Sequence, residues 1–581
     1  MANDTRTEAS AAPPVPMVTC SVNGTSVTVP RGTRIIEAAE AVGIGIAHYC
    51  YHPALSAPAM CRMCLVEVEG APKLAPACVT DVADGQVIHT ESEKALEARR
   101  GTLEFYLFNH PLDCPVCDKS GECKLQDYVH AEGRKHGRSV EPKRVLGQDD
   151  FGGDILYDGD RCIMCTRCVR YMREIAQDDR LCVVQRGHRS VIDTFFESGL
   201  EGSMWAGNIV DICPVGALLS KDFLHKARVW DLDQSPSICP NCSQGCNVRI
   251  ETRDNQVVRL KPRLNAEVNS YWMCDYGRLT YEWMNRGETR VGGVQFPFTA
   301  GGDGRSPAQL AGAAAEAHMS APDRIEAPLA RAGQGRLGAT GWQTAVTALV
   351  EHMRGLRGSA QVLVVGSPRL SNEDNGLVAR VGALLGNATL VYRSRRAPDE
   401  VPCGGFSGLA RRRELAPNGR GLEVMGFSRV GDDEGRGGIT APAGGVVIVA
   451  GDTLEDVPAS YANDAALFLV LGHTLSAAAR NAHFALPITA FAEQEGTFTN
   501  IEGRVQRFWA ALQAPALARP AWQVAGVLLA GLGDRAAPAD AGSAFVRLGQ
   551  LHDAFSGLSY AILGSRGALI NEPVRLTRGE A

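Results

Sequence analysis

Residues 110–123 read HPLDCPVCDKSGEC, which places one histidine and three cysteines in the pattern H-x3-C-x2-C-x5-C. Upstream, Leu96, Leu103 and Leu107 fall on one helical face, so the sequence predicts a helix that ends at His110. A histidine at a helix end is commonly a capping or surface residue, but its place four positions before a CxxC pair favours metal ligation. A neutral imidazole in place of a thiolate would raise the reduction potential of an iron–sulfur cluster bound here.

Three further cysteine sets flank this stretch, and each supplies four soft ligands. One lies upstream with the spacing C-x10-C-x2-C-x13-C, and two lie downstream as C-x2-C-x2-C with a distant Cys-Pro, and as C-x2-C-x3-C-x27-C. Four such sets in one chain predict a relay of iron–sulfur clusters, while a structural zinc site is the alternative for the upstream set. In chain order the ligand sets are Cys50, Cys61, Cys64 and Cys78; His110, Cys114, Cys117 and Cys123; Cys162, Cys165, Cys168 and Cys213; and Cys239, Cys242, Cys246 and Cys274.

Composition and charge exclude several other classes of protein. The chain has 581 residues, too many for one core, so about three to five domains are expected. A net charge of -6 gives no electrostatic reason to expect nucleic-acid binding. No apolar run reaches the roughly 18 residues needed to cross a bilayer. Met1–Met17 has no apolar h-region and is predicted to be a disordered extension, so the CxxC groups indicate metal ligands in a reducing compartment.

The sequence outside the cysteine sets predicts two kinds of sheet. Asn23-Gly24 separates two alternating runs near the N-terminus, which predicts a hairpin within a small ferredoxin-like sheet. The Gly- and Ala-rich stretch 301–341 is predicted to be a loop or a weakly ordered insert. Beyond it, four continuous apolar runs predict a parallel sheet that is buried on both faces. These runs are Val362–Val365, Thr389–Tyr392, Val446–Val449 and Leu467–Val470.

The fourth cysteine set resembles the N-terminal domain of molybdopterin oxidoreductases. In that family a lysine two residues after the last cysteine links the cluster to the pterin, whereas this chain has Tyr276, followed by a matching Gly277 and Arg278. The segment 493–506, EQEGTFTNIEGRVQ, is a further resemblance to the same family. Cys403 could be a molybdenum ligand, but its Pro-Cys-Gly-Gly context does not match the family's ligand motif. The resemblance therefore implies a fourth cluster with no molybdopterin behind it.

All four sets in this order, followed by a shortened molybdopterin-like domain, resemble the NuoG-type large iron–sulfur subunits of respiratory complex I, NADH-quinone oxidoreductase. The resemblance implies a multidomain α+β and α/β fold. Its expected parts are a disordered extension at 1–17, a β-grasp [2Fe–2S] domain at 18–95, a histidine-ligated [4Fe–4S] domain at 96–138, a ferredoxin-like [4Fe–4S] domain at 139–233, a Mo/W bis-MGD-type [4Fe–4S] domain at 234–290 and a molybdopterin-oxidoreductase-like α/β domain at 291–581.

The same resemblance implies an electron-transfer role. Electrons from an NADH/FMN-binding subunit would cross the first, third and second clusters, in that order, and leave toward a two-[4Fe–4S] ferredoxin-like subunit and the quinone-site subunits. The fourth cluster would lie off this path, and no residue of this chain would be catalytic. The subunit would be peripheral, on the cytoplasmic side of the inner cell membrane, held there by its partners. The alternatives are a catalytic molybdoenzyme such as an NAD-linked formate dehydrogenase, an iron-only hydrogenase and a zinc-stapled scaffold.

Overall fold

The computed structural model describes residues 15–286 and 324–571, apart from 332, 334, 359 and 453. The chain divides into two compact units, one of residues up to Leu200 together with Ile212–Lys221, the other of Glu201–Asp211 together with the chain from Asp222 onward. Most of the predicted N-terminal extension lies outside the described residues. Within the described ranges, no helix has both the length and the hydropathy required of a membrane span.

The first unit begins with the predicted hairpin. Strands β1 (Met17–Val22) and β2 (Thr25–Pro30) are antiparallel, and both turn residues, Asn23 and Gly24, have positive φ (49° and 84°). Such a turn matches the twist of the flanking strands, so the hairpin prediction is confirmed. The five-stranded sheet has the order β2-β1-β5-β3-β4, with one helix packed against it. Its other elements are α1 (Ile35–Ala41), β3 (Leu65–Val68), β4 (Ala75–Pro76) and β5 (Val87–His89).

The rest of the first unit consists of short helices and two small sheets. The predicted helix is α2 (Glu93–Asn109), and His110 is its C-terminal cap residue, as expected. A three-stranded sheet has the order β10-β7-β6, and β8 and β9 form a separate hairpin. The elements are α3 (Lys124–Glu132), β6 (Gln148–Asp150), β7 (Ile155–Asp158), α4 (Arg167–Tyr171), β8 (Leu181–Val184), β9 (Val191–Thr194), α5 (Asn208–Ile212), where the chain crosses between the units, and β10 (Leu218–Ser220).

The second unit contains a β-meander and a separate large sheet, and the meander carries the fourth cysteine set. The meander has β11 (Asp233–Ile238), β12 (Asn247–Arg253) and β13 (Gln256–Pro262), and α6 (Asp275–Leu279) follows it. The large sheet has the order β15-β14-β23-β22-β21-β16-β17-β20. Its strands are β14 (Leu329–Arg331), β15 (Leu337–Ala339), β16 (Ala360–Gly366), β17 (Gly386–Tyr392), β20 (Ser428–Arg429), β21 (Val446–Ala450), β22 (Leu467–Gly472) and β23 (Phe484–Pro487).

The parallel-sheet prediction is confirmed, and one neighbouring prediction is corrected. The four apolar runs lie in β16, β17, β21 and β22, which pair in parallel with apolar clusters on both faces. For the stretch 301–341 the sequence predicts a loop. Residues 301–323 lie outside the described residues, but β14 and β15 form a hairpin in the last part of the stretch 301–341. Antiparallel pairing of β14 with β23 stabilises that hairpin, which the local composition does not predict.

Smaller elements of the second unit surround this sheet. The helices α7 to α12 and a three-stranded sheet β24-β25-β26 complete the fold, with a short pair β18-β19. Their bounds are α7 (Trp342–Leu356), α8 (Asn372–Leu385), β18 (Val401–Pro402), β19 (Ala410–Arg411), α9 (Gly419–Val424), β24 (Gly496–Thr499), β25 (Arg504–Phe508), α10 (Ala521–Gly531), α11 (Ala541–Leu551), α12 (Tyr560–Leu563) and β26 (Ala568–Leu569).

Candidate iron–sulfur centres

The first cysteine set converges beside the β1–β5 sheet. All four thiols are buried, and the long gap between Cys50 and Cys61 is an irregular loop. Cys50 interacts with Cys61 and Cys78, and Cys78 interacts with Cys64, through hydrogen bonds between thiols. These contacts lower the pKa of Cys50 and raise the pKa of Cys78, with burial adding to the rise. Four mutually adjacent thiols therefore face one small volume, as a [2Fe–2S] cluster requires.

The second set combines one exposed cysteine with a half-buried histidine. His110 Nδ1 is buried and has no hydrogen-bond partner. A buried polar atom without a partner destabilises the folded protein by about 1–3 kcal/mol, and a metal bound to this nitrogen would offset that loss. Burial lowers the pKa of His110, which keeps the imidazole neutral and able to ligate. Cys117 and Cys123 are buried near each other and Cys114 is exposed, so this set lies at the surface of the described part of its unit.

The third set is a loop whose backbone amides face sulfur. Met164 and Thr166 have positive φ (51° and 57°), an arrangement that turns successive N–H groups inward. The Met164 N–H donates to Cys162 Sγ at 3.4 Å. Burial raises the pKa of Cys168 strongly, and the neighbouring Cys165, Cys162 and Cys213 raise it further. The structure thus brings together all four cysteines of the set, including the distant Cys213.

Two arginines of α4 connect the first and third sets. Arg167 is buried and donates to the carbonyls of Tyr51 and Ile212. Arg170 donates to the carbonyl of Cys50 at 2.5 Å and to that of Cys165 at 3.4 Å. The guanidinium charges therefore lie beside both sets, where they would stabilise anionic clusters.

The third set also adjoins the second. The Lys124 N–H, next to Cys123, donates to the Pro214 carbonyl, next to Cys213, at 2.9 Å. A Cβ on Gly216 would lie 2.3 Å from Cys117 Sγ, so this backbone touches a thiol of the second set. The third set consequently adjoins both the first and the second, although it comes after both in the sequence.

The fourth set is buried in the second unit. The Cys239 N–H donates to the Cys246 carbonyl at 2.8 Å, and Cys274 Sγ accepts the Gly277 N–H at 3.3 Å. A Cβ on Gly277 would lie 3.0 Å from Cys239 Sγ and 3.5 Å from Cys274 Sγ. Glycine is therefore needed at position 277 because two of the sulfurs flank it. Burial raises the pKa of Cys239 to about 12.

The C-terminal segment 493–506 packs onto this set. The Ile501 N–H donates to the Ser243 carbonyl at 2.8 Å, and Gln506 Nε2 donates to the Gly245 carbonyl at 2.7 Å. Sequence motifs mark both the segment 493–506 and the fourth cysteine set, but the sequence gives no indication that the two are in contact. Tyr276, in the lysine position, is half-buried beside Arg369 and Arg395. Burial raises its pKa, and the two arginines oppose that rise.

Cys403, the candidate molybdenum ligand, lies in the turn between β18 and β19. It is buried, and burial raises the pKa of its thiol to about 12. Across residues 15–286 and 324–571, no group of three or more His, Cys, Asp or Glu side chains lies at distances suited to a single metal ion. The donor set fits iron–sulfur clusters on three observations: the four thiols of the third set lie together, a backbone amide donates to one of their sulfurs, and a buried imidazole nitrogen of the second set lacks a partner.

Comparison with known proteins matches five stretches of the chain to iron–sulfur or molybdopterin-type families. The matching family profiles are the 2Fe-2S iron-sulfur cluster binding domain (residues 15–93), the NADH-ubiquinone oxidoreductase-G iron-sulfur binding region (99–138), the ferredoxin-like domain of NADH-quinone oxidoreductase subunit 3 (152–219), the molybdopterin oxidoreductase Fe4S4 domain (233–286) and molybdopterin oxidoreductase (443–530). The fold and the cysteine sets thus define a multidomain iron–sulfur protein with a molybdopterin-oxidoreductase-type C-terminal half.

The names of similar proteins indicate which subunit the chain resembles. The G-type subunit of NADH-quinone oxidoreductase from Rickettsia felis is 40% identical over 46% of this chain and 40% of its own length. Its counterpart in Mycobacterium bovis is 36% identical over 65% of this chain and 43% of its own length. The mitochondrial NADH dehydrogenase [ubiquinone] iron-sulfur protein 1 of Solanum tuberosum is 40% identical over 54% of this chain and 42% of its own length. The chain is a homologue of these subunits, which confirms the resemblance drawn from cysteine spacing. The match spans about two fifths of each relative's length.

Proposed function

We propose that this chain is the electron-transfer subunit of the peripheral arm of a proton-translocating NADH-quinone oxidoreductase. It relays electrons from an NADH/FMN-binding subunit toward the subunits that bind quinone. Two observations support the proposal: the cysteines of the first, third and fourth sets lie together, and the homologues of the chain bear that name. The chain reaches the membrane through its partners, on the cytoplasmic side.

We assign one [2Fe–2S] cluster to the first set and a [4Fe–4S] cluster to each of the others. When bound, these clusters supply one-electron transfer. The protein's own residues ligate iron, donate N–H groups to sulfur as Met164 does, and set charge nearby as Arg167 and Arg170 do. Electrons pass from the first to the third to the second set, because the third set adjoins both of the others.

The fourth cluster has a structural role in this proposal. Its loop is held by the hydrogen bonds of Ile501 and Gln506, so it ties the meander to the C-terminal part of the second unit. Tyr276 replaces the lysine that would join cluster to pterin, and the chain accordingly holds no molybdopterin. A catalytic molybdoenzyme, for which the homologues give no support, would require one.

Metal analysis of the purified, anaerobically prepared chain tests the proposal. We expect about 14 iron atoms per chain with matching acid-labile sulfide, because one [2Fe–2S] and three [4Fe–4S] clusters contain that number. We expect no stoichiometric zinc, molybdenum or tungsten. Stoichiometric zinc without sulfide would contradict the relay, and molybdenum that copurifies with the chain would restore the catalytic alternative.

Changing His110→Cys should keep a [4Fe–4S] cluster in the second set and lower its reduction potential. The physical reason is that an anionic thiolate replaces a neutral imidazole and makes reduction harder. An EPR redox titration of the assembled protein measures this shift. The matched control is His130→Cys, at an exposed position on α3 in the same unit, which should leave every potential unchanged. Unchanged potentials in the His110→Cys protein would remove His110 from the ligand set.

A further inference from the structure

One buried tyrosine beside the third set has a hydroxyl that nothing in the fold accounts for. Tyr157 lies on β7 with 1% of its surface exposed, and its ring stacks on Phe151 at a centroid distance of 4.5 Å and an interplanar angle of 17°. Its hydroxyl oxygen is buried and completes no hydrogen bond of normal geometry, although the Ile192 backbone and the Cys162 thiol lie close to it. Packing alone would be served equally well by phenylalanine, since an unsatisfied buried hydroxyl is destabilising. A hydroxyl kept at this buried position therefore indicates a hydrogen-bond partner.

The chain geometry places that hydroxyl next to a ligand of the third set. After β7, the Asp158 carboxylate accepts the Arg161 N–H at 3.2 Å and closes a single helical turn. That turn brings Cys162 back beside Tyr157. Burial is the main cause of the raised pKa of Tyr157, and the Cys162 thiol is the next. In return, the Tyr157 hydroxyl lowers the pKa of the Cys162 thiol, against the larger effect of burial.

We propose that Tyr157 is a positioning and tuning residue whose hydroxyl donates a hydrogen bond to the Cys162 sulfur when the third set holds its cluster. The inference rests on the proposed function, because it needs that cluster. A cluster-bound sulfur is a thiolate and thus a stronger acceptor than the thiol. Reduction adds one negative charge to the cluster, and a donor to its sulfur stabilises the reduced state more than the oxidised one. The Met164 N–H reaches the same sulfur, so Cys162 would accept two donors.

The test is an EPR redox titration of the full chain carrying Tyr157→Phe, which removes the hydroxyl and keeps the stacked ring. We expect the third cluster to become harder to reduce, with its reduced-to-oxidised ratio at a fixed potential lowered about tenfold. For a one-electron couple, tenfold corresponds to about 59 mV. The other clusters should titrate as in the wild type. The signal of the third set is identified by its loss in a Cys168→Ala chain.

A matched control is Tyr461→Phe in the second unit. Tyr461 is also buried with an unsatisfied hydroxyl, but Arg393 and Asp452, not a cysteine, are the charged groups that act on it. Its loss should leave all potentials unchanged. An unchanged third cluster in the Tyr157→Phe chain would overturn the inference, as would an equal shift in every cluster or in the control.

If Tyr157→Phe fails to retain the cluster, replacing Tyr157 by 3-fluorotyrosine decides the question. The fluorinated phenol is a stronger donor of nearly the same shape, so the potential of the third cluster should rise. No rise would overturn the inference. A wild-type chain without any cluster in the third set would instead overturn the proposed function, and this inference with it.

Discussion

Changing Cys168→Ala is expected to abolish NADH-to-quinone turnover in the assembled complex. Cys168 is buried among Cys162, Cys165 and Cys213, so its loss leaves the third set one ligand short. In the proposed path this set is the middle one, because it adjoins both of the others. Arg170 donates to carbonyls of the first and third sets, and the Pro214 carbonyl accepts the Lys124 N–H beside the second. Without the middle cluster, electrons that reach the first set have no onward centre. NADH oxidation by an artificial acceptor at the flavin should persist.

The matched control for this prediction is Cys182→Ala. Cys182 lies on β8 in the same unit, is partly exposed, and belongs to no ligand set. Its replacement should leave turnover at the wild-type rate, which separates the loss of a ligand from the loss of any thiol. Residual quinone reduction close to the wild-type rate in the Cys168→Ala complex would contradict the proposed path.

The fourth set provides a contrast with the third. Cys242→Ala should impair assembly, because the Cys242–Cys246 loop holds the β24–β25 segment through Ser243 and Gly245. In the complex that does assemble, turnover per flavin should be largely retained. Normal assembly with abolished turnover would place the fourth cluster on the electron path.

Changing Gly216→Val is expected to remove the cluster of the second set. A Cβ at this position would lie 2.3 Å from Cys117 Sγ, closer than real side-chain contacts allow, and 3.2 Å from Lys119 Cβ, which is tighter than most such contacts. Because Gly216 does not have positive φ, the effect is steric and acts on the ligand sulfur. Displacing that sulfur leaves the second set without one of its four ligands. Iron analysis should show about four fewer iron atoms per chain, and quinone reduction should fall as sharply as in the Cys168→Ala complex.

Gly101→Ala is the matched control for the second prediction. Gly101 lies within α2 in the same unit, and a Cβ there meets no atom within 4 Å. Alanine is also the better helix former, by about 1 kcal/mol, so this variant should be at least as stable as the wild type. A full iron complement and an unchanged EPR signal from the second set in the Gly216→Val chain would show that Cys117 does not ligate that cluster.

Much of this protein was determined by local sequence alone. The hairpin follows from Asn23-Gly24, because turns with positive φ join two-residue hairpins best. The parallel sheet follows from continuous apolar runs, because strands covered on both faces need no polar side. The predicted ligand sets follow from cysteine spacing, and the helix end at His110 follows from the leucine period. Apart from the distant Cys213 and Cys274, each of these signals lies close in the sequence to the feature it predicts.

Only the tertiary structure decided how these parts meet. It placed the third set against the first, through a contact from Arg170 to Cys50 across 120 positions. It laid Gln506 over Gly245 across 261 positions, turned Tyr157 toward Cys162, and put the backbone of Gly216 against Cys117. It also ordered the hairpin of β14 and β15 by pairing with β23. Such contacts depend on which faces pack together after the chain has collapsed, and neither periodicity nor spacing encodes that choice locally.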